Sequence, residues 1–317
     1  MALVERVLAG DRRALAQAIT AIVEREPAGR PLLAALHPKA GRARIVGLTG
    51  APGVGKSTLT AALTRHWRRA GLSVAIVAVD PTSPFSGGAL LGDRIRMGEL
   101  ATDPGVFFRS LATRGAMGGL AAATGDVVTA LDAAGFDRII VETIGTGQAE
   151  VDVITMVHSC VVVLIPGMGD GVQAFKAGIL EIADLFVINK ADHEGAERLH
   201  EQMAAMLELA PKQEGYAVPI LATVATTDEG IDSVADGLDA HWQHLLRSGK
   251  HHERDLLRAR TQLQRLLQAQ LLAPFEQGAG EAAFEAAVRD VAERRVDPHG
   301  AVAALVARTQ ERPPHEP

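Results

Sequence analysis

Residues 50–57 have the sequence Gly50-Ala-Pro-Gly-Val-Gly-Lys-Ser57, which fits the pattern Gly-x-x-x-x-Gly-Lys-Ser/Thr at every fixed position. The glycines let the backbone curl so that successive N–H groups point at phosphate oxygens, and a following helix adds its positive N-terminal end. An apolar segment, Ile45–Thr49, precedes the motif, and an amphipathic segment, Ser57–Arg69, follows it. We therefore predict a phosphate-binding loop between a strand and a helix. The predicted nucleotide contacts in this loop are Gly50, Ala51, Pro52, Gly53, Val54, Gly55, Lys56, Ser57 and Thr58.

Outward from this loop, short runs rich in β-branched residues alternate with longer helical patterns. Most of these runs are apolar throughout, which is typical of parallel strands covered on both faces. We predict an α/β fold with a doubly wound, mostly parallel sheet, in which ligands bind at the carboxyl ends of the strands. The predicted strands are Arg44–Thr49, Ser73–Val79, Gly105–Arg109, Arg138–Glu142, Cys160–Ile165, Asp184–Ile188 and Val218–Val224.

Helical patterns without strands flank this central region. Residues 2–36 carry apolar residues at helical spacing, with a break and an N-cap at Gly10-Asp11. Prolines and glycine in the segment 27–31 predict a loop. The predicted strands stop at about Trp242, after which leucines recur along a helical stripe. We predict an N-terminal helical extension at 1–40, a nucleotide-binding domain at 41–245 and a C-terminal helical arm at 246–317.

The composition narrows the class of protein. The net charge of the 317 residues is −6, whereas dedicated nucleic-acid binders are usually basic, so we expect no nucleic-acid partner. The one cysteine, Cys160, excludes an internal disulfide framework, fits a reducing compartment, and is predicted to be a small core residue. No apolar run approaches the ~20 residues that span a bilayer, and the N-terminus lacks a signal-peptide pattern. We expect a soluble, cytoplasmic protein with no membrane association.

A second motif, Asn189-Lys-Ala-Asp192, follows the predicted strand Asp184–Ile188. In phosphate-loop proteins Asn-Lys-x-Asp selects guanine, because the Asp carboxylate accepts hydrogen bonds from N1–H and from the 2-amino group. Adenine offers neither donor, and such a loss can discriminate by as much as ~10⁴-fold. The predicted base contacts are Asn189, Lys190 and Asp192, with Thr223, Val224 and Ala225 near guanine O6. The two motifs together predict a GTPase.

Acidic residues close to the ends of predicted strands are candidate ligands for Mg²⁺. This ion prefers octahedral oxygen coordination and retains waters, so several acids can act through water. We predict that Mg²⁺ is held, directly or through water, by Ser57, Asp80, Asp93 and Glu142. An N-cap for a helix at Arg94–Leu100 is the alternative role of Asp93.

The segment Glu142-Thr-Ile-Gly145 takes the place of the Asp-x-x-Gly motif of most GTPases. We predict that the Gly145 N–H binds the γ-phosphate, so that the loop after it responds to hydrolysis. Ras-like enzymes orient the attacking water with a Gln directly after this motif. Thr146 holds that position here, so Gln148 is a candidate rather than an assignment.

A positive charge at the γ-phosphate is the remaining catalytic requirement. Many phosphate-loop dimers supply it with a Lys in the second position of the loop, where this chain has Ala51. Lys176 and Arg114 are the candidates that remain. The predicted catalytic residues are Lys56, Glu142, Gln148 and Lys176.

Eight segments together form a pattern that is more specific than the phosphate loop alone. They are Gly50–Thr58, Val79–Ser83, Gly87-Gly88, Leu91–Met97, Val141–Thr143, Gly145–Gln148, Pro166–Asp170 and Lys176–Glu181. This pattern resembles the methylmalonyl-CoA mutase-associated GTPases of the MeaB/ArgK type. The resemblance covers roughly residues 5–245 and is weaker in the tail.

The resemblance implies a phosphate-loop GTPase fold and a homodimeric G-protein chaperone of an adenosylcobalamin-dependent acyl-CoA mutase. Such a chaperone gates loading of the cofactor and protects or reactivates the mutase. It uses Mg²⁺ with GTP or GDP, and no tightly bound cofactor of its own is expected. An adenosyltransferase of the same pathway is a further candidate partner. The family's Mg²⁺ and nucleotide residues fall on Lys56, Ser57, Asp80, Asp93 and Glu142.

The resemblance also assigns roles outside the nucleotide pocket. Segment Pro166–Glu181 matches a mobile loop that couples the nucleotide state to the mutase, and Lys176 falls on the lysine of that loop. The chain departs from the family at Gly171, Val172 and Phe175, which implies that the partner differs from the usual mutase. The family's helical arm contributes to dimerisation, which would explain the leucine stripe, although packing within the chain explains it equally well.

Three alternative functions stay open at this point. A nickel-insertion GTPase would need a metal-gathering cluster, and we expect His241 and His244 to be ordinary surface residues instead. A kinase would transfer the γ-phosphoryl group to an acceptor rather than to water. A scaffold that binds GDP without catalysis would be independent of Lys56.

Overall fold

The structure of the chain is a computed structural model that describes residues 2–80, 98–112, 119–143, 156–167, 182–209, 215–275 and 278–310. Several residues with predicted roles lie outside these ranges, as does the side chain of Asp80. They are Asp93, Arg114, Gly145, Thr146, Gln148, Gly171, Val172, Phe175 and Lys176.

The described residues form a parallel sheet of seven strands in the order β3-β2-β4-β1-β5-β6-β7. All seven strands overlap the predicted ones, which confirms the doubly wound α/β fold. Strands β2, β3 and β4 lie on one side of β1, and β5, β6 and β7 lie on the other, so the strand order reverses its direction at β1. Ligands in such sheets bind at this switch point, outside the carboxyl ends of the strands. The strands are β1 (Arg44–Thr49), β2 (Val74–Asp80), β3 (Val106–Ala112), β4 (Arg138–Thr143), β5 (Ser159–Leu164), β6 (Leu185–Asn189) and β7 (Ile220–Thr223).

Helices connect the strands and extend the chain at both ends. The described α-helices are Ala2–Leu8, Arg12–Val23, Gly29–Leu36, Lys56–Arg69, Gly119–Ala133, Ala196–Leu209, Ile231–Ser248, Lys250–Leu272, Gly278–Ala292 and Pro298–Gln310. Short 3-10 turns lie at His37–Lys39, Gly98–Thr102 and Ala273–Phe275. None of the described helices is both long and apolar enough to cross a membrane.

The first two helices are separated as the sequence predicts. The carboxylate of Asp11 accepts hydrogen bonds from the N–H groups of Arg13 and Ala14, at 2.9 and 3.1 Å, and so caps the second helix. The predicted loop over residues 27–31 is partly wrong, because Gly29–Leu36 is a helix. Pro31 lies in its first turn, where a missing N–H removes no helical hydrogen bond.

The N-terminal helices complete the hydrophobic core on one face of the sheet. Leu15, Ile19 and Leu36 are at most 3% exposed and belong to the same core cluster as Ile45 of β1. Burial of these three helical side chains contributes on the order of 5–9 kcal/mol. The opposite face is covered by helix Lys56–Arg69, which we call the phosphate-loop helix, and by helix Ile231–Ser248.

The chain divides into two compact units, residues 1–262 and residues 263–317. Leucines of the predicted stripe are exposed in both units. Leu256 is 58% exposed in the first unit, and Leu263 and Leu271 are 68% and 61% exposed in the second. Packing within the described chain therefore leaves this stripe largely uncovered. The predicted domain boundaries at 40/41 and 245/246 stay a prediction.

A buried polar cluster lies at the amino-terminal edge of the sheet, opposite the ligand-binding edge. It consists of Asp184, His241 and Arg254. The Asp184 carboxylate, 1% exposed, receives two hydrogen bonds from the Arg254 guanidinium, at 2.7 and 2.8 Å, and lies 3.2 Å from His241 Nε2. Burial opposes ionisation of this carboxyl, but the hydrogen bonds from Arg254 and the nearby His241 imidazole lower its pKa to about 2.

The expectation that His241 and His244 are surface residues is wrong. His241 is fully buried and His244 is 9% exposed. The Nδ1 atom of His241 is hydrogen-bonded to Ser159 Oγ at 2.8 Å, and Tyr216 packs against both imidazole rings. Cys160, by contrast, is buried in β5 as predicted, and its burial raises the pKa of its thiol well above the usual value.

Candidate functional site

The phosphate loop connects β1 to the phosphate-loop helix, as predicted. Gly50, Gly53 and Gly55 have φ values of 142°, 81° and 92°, in the region that favours glycine. The Lys56 side chain, 6% exposed, folds back over the loop, and its Nζ donates to the carbonyl oxygens of Gly50 and Ala51 at 2.5 and 3.0 Å. The glycine conformations let the loop curl, and the Lys56 ammonium group lies against the loop backbone at the carboxyl end of β1.

Glu142, at the carboxyl end of β4, faces the start of the phosphate-loop helix. Its carboxylate accepts a hydrogen bond from Ser57 Oγ at 2.5 Å and one from Thr60 Oγ1 at 3.0 Å, and the side chain is 5% exposed. The structure thus brings together two of the predicted Mg²⁺ ligands. Sequence reasoning missed Thr60, although its spacing of three residues from Ser57 places both hydroxyls on one helix face.

The backbone of Asp80 lies at the same edge of the sheet. Ala78 of β2 pairs with Glu142 of β4, and Asp80 is two residues further along β2. The backbone position is consistent with the predicted metal role of Asp80. Within the described ranges, no three His, Cys, Asp or Glu side chains are grouped so that they could hold a metal ion together.

Asn189, at the end of β6, joins the base-recognition motif to the phosphate loop. Its Nδ2 donates to Val54 O at 2.8 Å, and its Oδ1 accepts from the Thr223 hydroxyl and the Ala225 N–H, both at 3.2 Å. The side chain is 3% exposed. One buried amide therefore fixes the separation between the loop for the phosphates and the loop after β7.

Lys190 and Asp192 continue the motif at the surface. Lys190 has a φ of 55°, and its Nζ donates to Gly53 O at 3.1 Å, so that its stem lies across the phosphate loop. The Asp192 side chain is 57% exposed. Ala191 N–H donates to Thr223 O at 3.0 Å, which holds the motif beside the end of β7. The structure therefore brings the predicted residues Asn189, Lys190, Asp192 and Thr223–Ala225 to one edge of the sheet.

Replacement of Gly55 by alanine is expected to weaken Mg²⁺-GTP binding by about 10- to 100-fold. The new Cβ would lie 2.3 Å from Asn189 Nδ2, and the residue would retain an unfavourable φ of 92°. Displacement of Asn189 would separate the two loops that it connects. Gly71→Ala is the matched control, because Gly71 directly follows the C-cap of the same helix, with a φ of 80° and open space around its Cβ position. Calorimetric titration that gave equal affinities for both variants would contradict this expectation.

A parallel sheet with a phosphate loop after its central strand, connected through Asn189 to a guanine-selecting motif, is the arrangement of a phosphate-loop GTPase. A sequence profile described as "Methylmalonyl Co-A mutase-associated GTPase MeaB" matches residues 15–279. The chain belongs to this family, which confirms the resemblance seen in the motifs. The match extends beyond residue 245 into the tail, for which a weaker resemblance was expected.

Individual relatives and a solved structure agree with this membership. A GTPase of Pyrococcus abyssi is 45% identical over 302 residues, 94% of this chain and 93% of that protein. A fused isobutyryl-CoA mutase of Cupriavidus metallidurans is 40% identical over 244 residues, 74% of this chain but 22% of that protein. The crystal structure of a LAO/AO transport system kinase, 27% identical, matches with a TM-score of 0.74 and covers 97% of this chain and 96% of its own.

Proposed function

We propose that the chain hydrolyses Mg²⁺-GTP as a chaperone of an adenosylcobalamin-dependent acyl-CoA mutase of the methylmalonyl-CoA mutase type. In this role it gates loading of the cofactor and protects or reactivates the mutase. The observation that carries the proposal is the relation to the fused isobutyryl-CoA mutase, in which the matching segment and a mutase share one chain. Fusion keeps two proteins at a high effective concentration, so it is typical of partners that act together.

The side chains at the phosphate loop fit a Mg²⁺-nucleotide. The Ser57 hydroxyl and the Glu142 carboxylate are hard oxygen donors that already lie 2.5 Å apart, and Mg²⁺ prefers such donors. In this proposal Ser57 contacts the metal, and Glu142 orients Ser57 or binds through water. Lys56 neutralises charge on the β- and γ-phosphates. When bound, Mg²⁺ supplies charge neutralisation of the same oxygens.

Further roles are proposed for residues outside the described ranges. Asp93, with Asp80, would complete the surroundings of Mg²⁺, and Gly145 N–H would bind the γ-phosphate. Gln148 would orient the attacking water, and Lys176 would supply charge or transmit the nucleotide state to the mutase. An adenosyltransferase of the same pathway as a further partner and a cytoplasmic location are part of the same proposal.

The proposal is tested with the purified chain and an adenosylcobalamin-dependent acyl-CoA mutase. We expect GTP turnover to rise about tenfold or more when the mutase is added, because a partner that supplies or positions a charged group at the γ-phosphate accelerates phosphoryl transfer. The mutase should inactivate more slowly with GTP than with GDP. The Lys56→Ala variant is the control for nucleotide dependence. Equal turnover with and without the mutase, or full protection by Lys56→Ala, would contradict the chaperone cycle.

A homodimer is also proposed, with the exposed leucine stripe as part of the interface. Leu256 in the first unit and Leu263 and Leu271 in the second remain exposed, and exposed apolar patches of this kind usually mark interaction surfaces. Light scattering on the purified chain measures its mass directly, and a monomer at micromolar concentration would contradict the dimer.

The kinase alternative is favoured by one observation, the name of the LAO/AO transport system kinase structure. It predicts a phosphorylated product, whereas hydrolysis releases all of the γ-phosphate to water. Stoichiometric recovery of inorganic phosphate would exclude the kinase alternative. The nickel alternative depended on His241 and His244. His241 is fully buried and hydrogen-bonded to Ser159 Oγ, and His244 is 9% exposed.

A further inference from the structure

The loop after β7, residues 224–230, is compact and lies beside Asn189. Val224 N–H donates to Glu229 O at 3.1 Å, and Thr227 N–H donates to Val224 O at 3.0 Å, so the loop closes on itself. Ala225 is 2% exposed, and its N–H faces Asn189 Oδ1. A loop closed in this way can move as one body. Its orientation therefore depends on the contacts made by the part of the loop farthest from Asn189.

Asp228 is the outer end of this loop and is bound by the phosphate-loop helix. Arg65 contacts both carboxylate oxygens of Asp228, with Nη2 on Oδ1 and Nε 3.4 Å from Oδ2, and Arg69 Nη2 lies 3.7 Å from Oδ2. The hydrogen bond from Arg65 is the main cause that lowers the pKa of Asp228, so the pair stays charged at neutral pH. A planar guanidinium that bonds both oxygens fixes orientation, which a point charge does not.

The backbone conformation of Asp228 fixes the direction in which its side chain leaves the loop. Its φ of 62° lies in the left-handed region, which Asp tolerates better than most residues, and its carbonyl accepts from Ile231 N–H at 3.4 Å at the start of the next helix. Asn189 connects the inner side of the loop to Val54, and Asp228 connects the outer side to Arg65. Two separated attachments prevent rotation of the loop relative to the phosphate loop.

We propose that Arg65 is a positioning residue for guanine recognition, which acts through Asp228 to hold the loop after β7 at a fixed place relative to the phosphate loop. The inference rests on the proposed contact between Thr223–Ala225 and guanine O6. Loss of Arg65 leaves the outer end of the loop with only the longer approach of Arg69 to Asp228, at 3.7 Å, so we expect the loop to tilt and the O6 contact to weaken. The contact of Asp192 with the opposite edge of the base does not pass through this loop and stays intact.

The test compares three nucleotides with the full chain and Mg²⁺. GTP carries all base contacts, 6-thio-GTP replaces O6 with a weaker acceptor, and ITP lacks the 2-amino group that Asp192 recognises. We expect the wild type to bind GTP about tenfold more tightly than 6-thio-GTP, which corresponds to one good hydrogen bond. In Arg65→Gln this ratio is expected to fall to about two- to threefold, while the ratio of GTP to ITP remains as in the wild type.

Matched variants separate positioning from general damage. Asp228→Asn removes the charge but suits a left-handed φ, so it should fold normally and lower the ratio of GTP to 6-thio-GTP by the same factor. The double variant should show no further fall, since both changes remove one interaction. Arg6→Gln is the control, because Arg6 forms an exposed pair with Asp11 in the N-terminal helices.

Each outcome decides the proposal. Unchanged ratios in Arg65→Gln would overturn it, and so would an equal fall of both ratios, because that result describes a generally loosened pocket. A wild type that does not distinguish 6-thio-GTP from GTP would refute the O6 contact and the role of Arg65 with it. Failure of the wild type to bind any of the three nucleotides would instead refute the proposed GTPase function.

Discussion

Replacement of Asp192 by asparagine is expected to lower the affinity for GTP by ~10³-fold or more and to create affinity for XTP. The carboxylate accepts hydrogen bonds from N1–H and the 2-amino group of guanine, whereas the asparagine amide would place its own N–H₂ donor against that amino group. Xanthine has an oxygen at this position, which accepts from the new donor. The Asp192 side chain is 57% exposed, with His193 Nε2 4.0 Å away, so the fold should not depend on its charge.

Calorimetric titration of the Asp192→Asn variant with Mg²⁺-GTP, Mg²⁺-XTP and Mg²⁺-ATP measures this change. Glu197→Gln is the control, since it removes an exposed acid from the following helix, Ala196–Leu209. A variant that retained wild-type affinity for GTP would show that Asp192 does not recognise the base. A wild type that bound ATP as tightly as GTP would remove the guanine assignment altogether.

Replacement of Arg254 by methionine is expected to lower the free energy of unfolding of residues 1–262 by about 3–5 kcal/mol. The change leaves the Asp184 carboxylate, 1% exposed, without the two hydrogen bonds that Arg254 donates. Urea titration followed by tryptophan fluorescence reports on this unit, because Trp67 and Trp242 both lie within it. Arg6→Met, which breaks an exposed pair, should change the midpoint little.

The same variant should alter the pH dependence of stability in a defined direction. The folded-state pKa of Asp184 is about 2, below the usual 3.8, so its ionised form stabilises the fold above about pH 4. This contribution is about 2 kcal/mol at neutral pH and is lost as the pH falls from about 4 to 2. The difference in stability between wild type and Arg254→Met should therefore narrow in that range. A difference that stayed constant down to pH 2 would contradict the assigned ion pair.

The sheet was predictable from the sequence because most of its strands are apolar over most of their length. Strands such as β4 and β5 are buried at every position, so no alternation is needed to recognise them. The helix Gly29–Leu36 was not predicted because Pro31 usually indicates the end of a helix. Proline is nevertheless tolerated in the first helical turn, where Pro31 lies. Whether the leucine stripe is exposed or buried depends on tertiary packing, which cannot be predicted from the spacing of the leucines alone.

The site was predictable where one motif carries several chemical groups. Lys56 and Ser57 lie in one contiguous loop, and Glu142 follows a recognisable strand. His241 and Arg65 could not be assigned, because their partners, Asp184 and Asp228, are 57 and 163 residues away along the chain. Only the fold brings such pairs together.

The helices ahead of β1 limit how the protein can be shortened. Val7, Leu15, Ile19 and Leu36 are sealed between these helices and the sheet, each at most 3% exposed. A fragment that starts at residue 41 would keep every nucleotide motif. It would also expose to water the apolar side chains that these helices cover, so we expect it to aggregate. Studies of catalysis therefore require residues 1–40, although these residues carry none of the nucleotide-binding motifs.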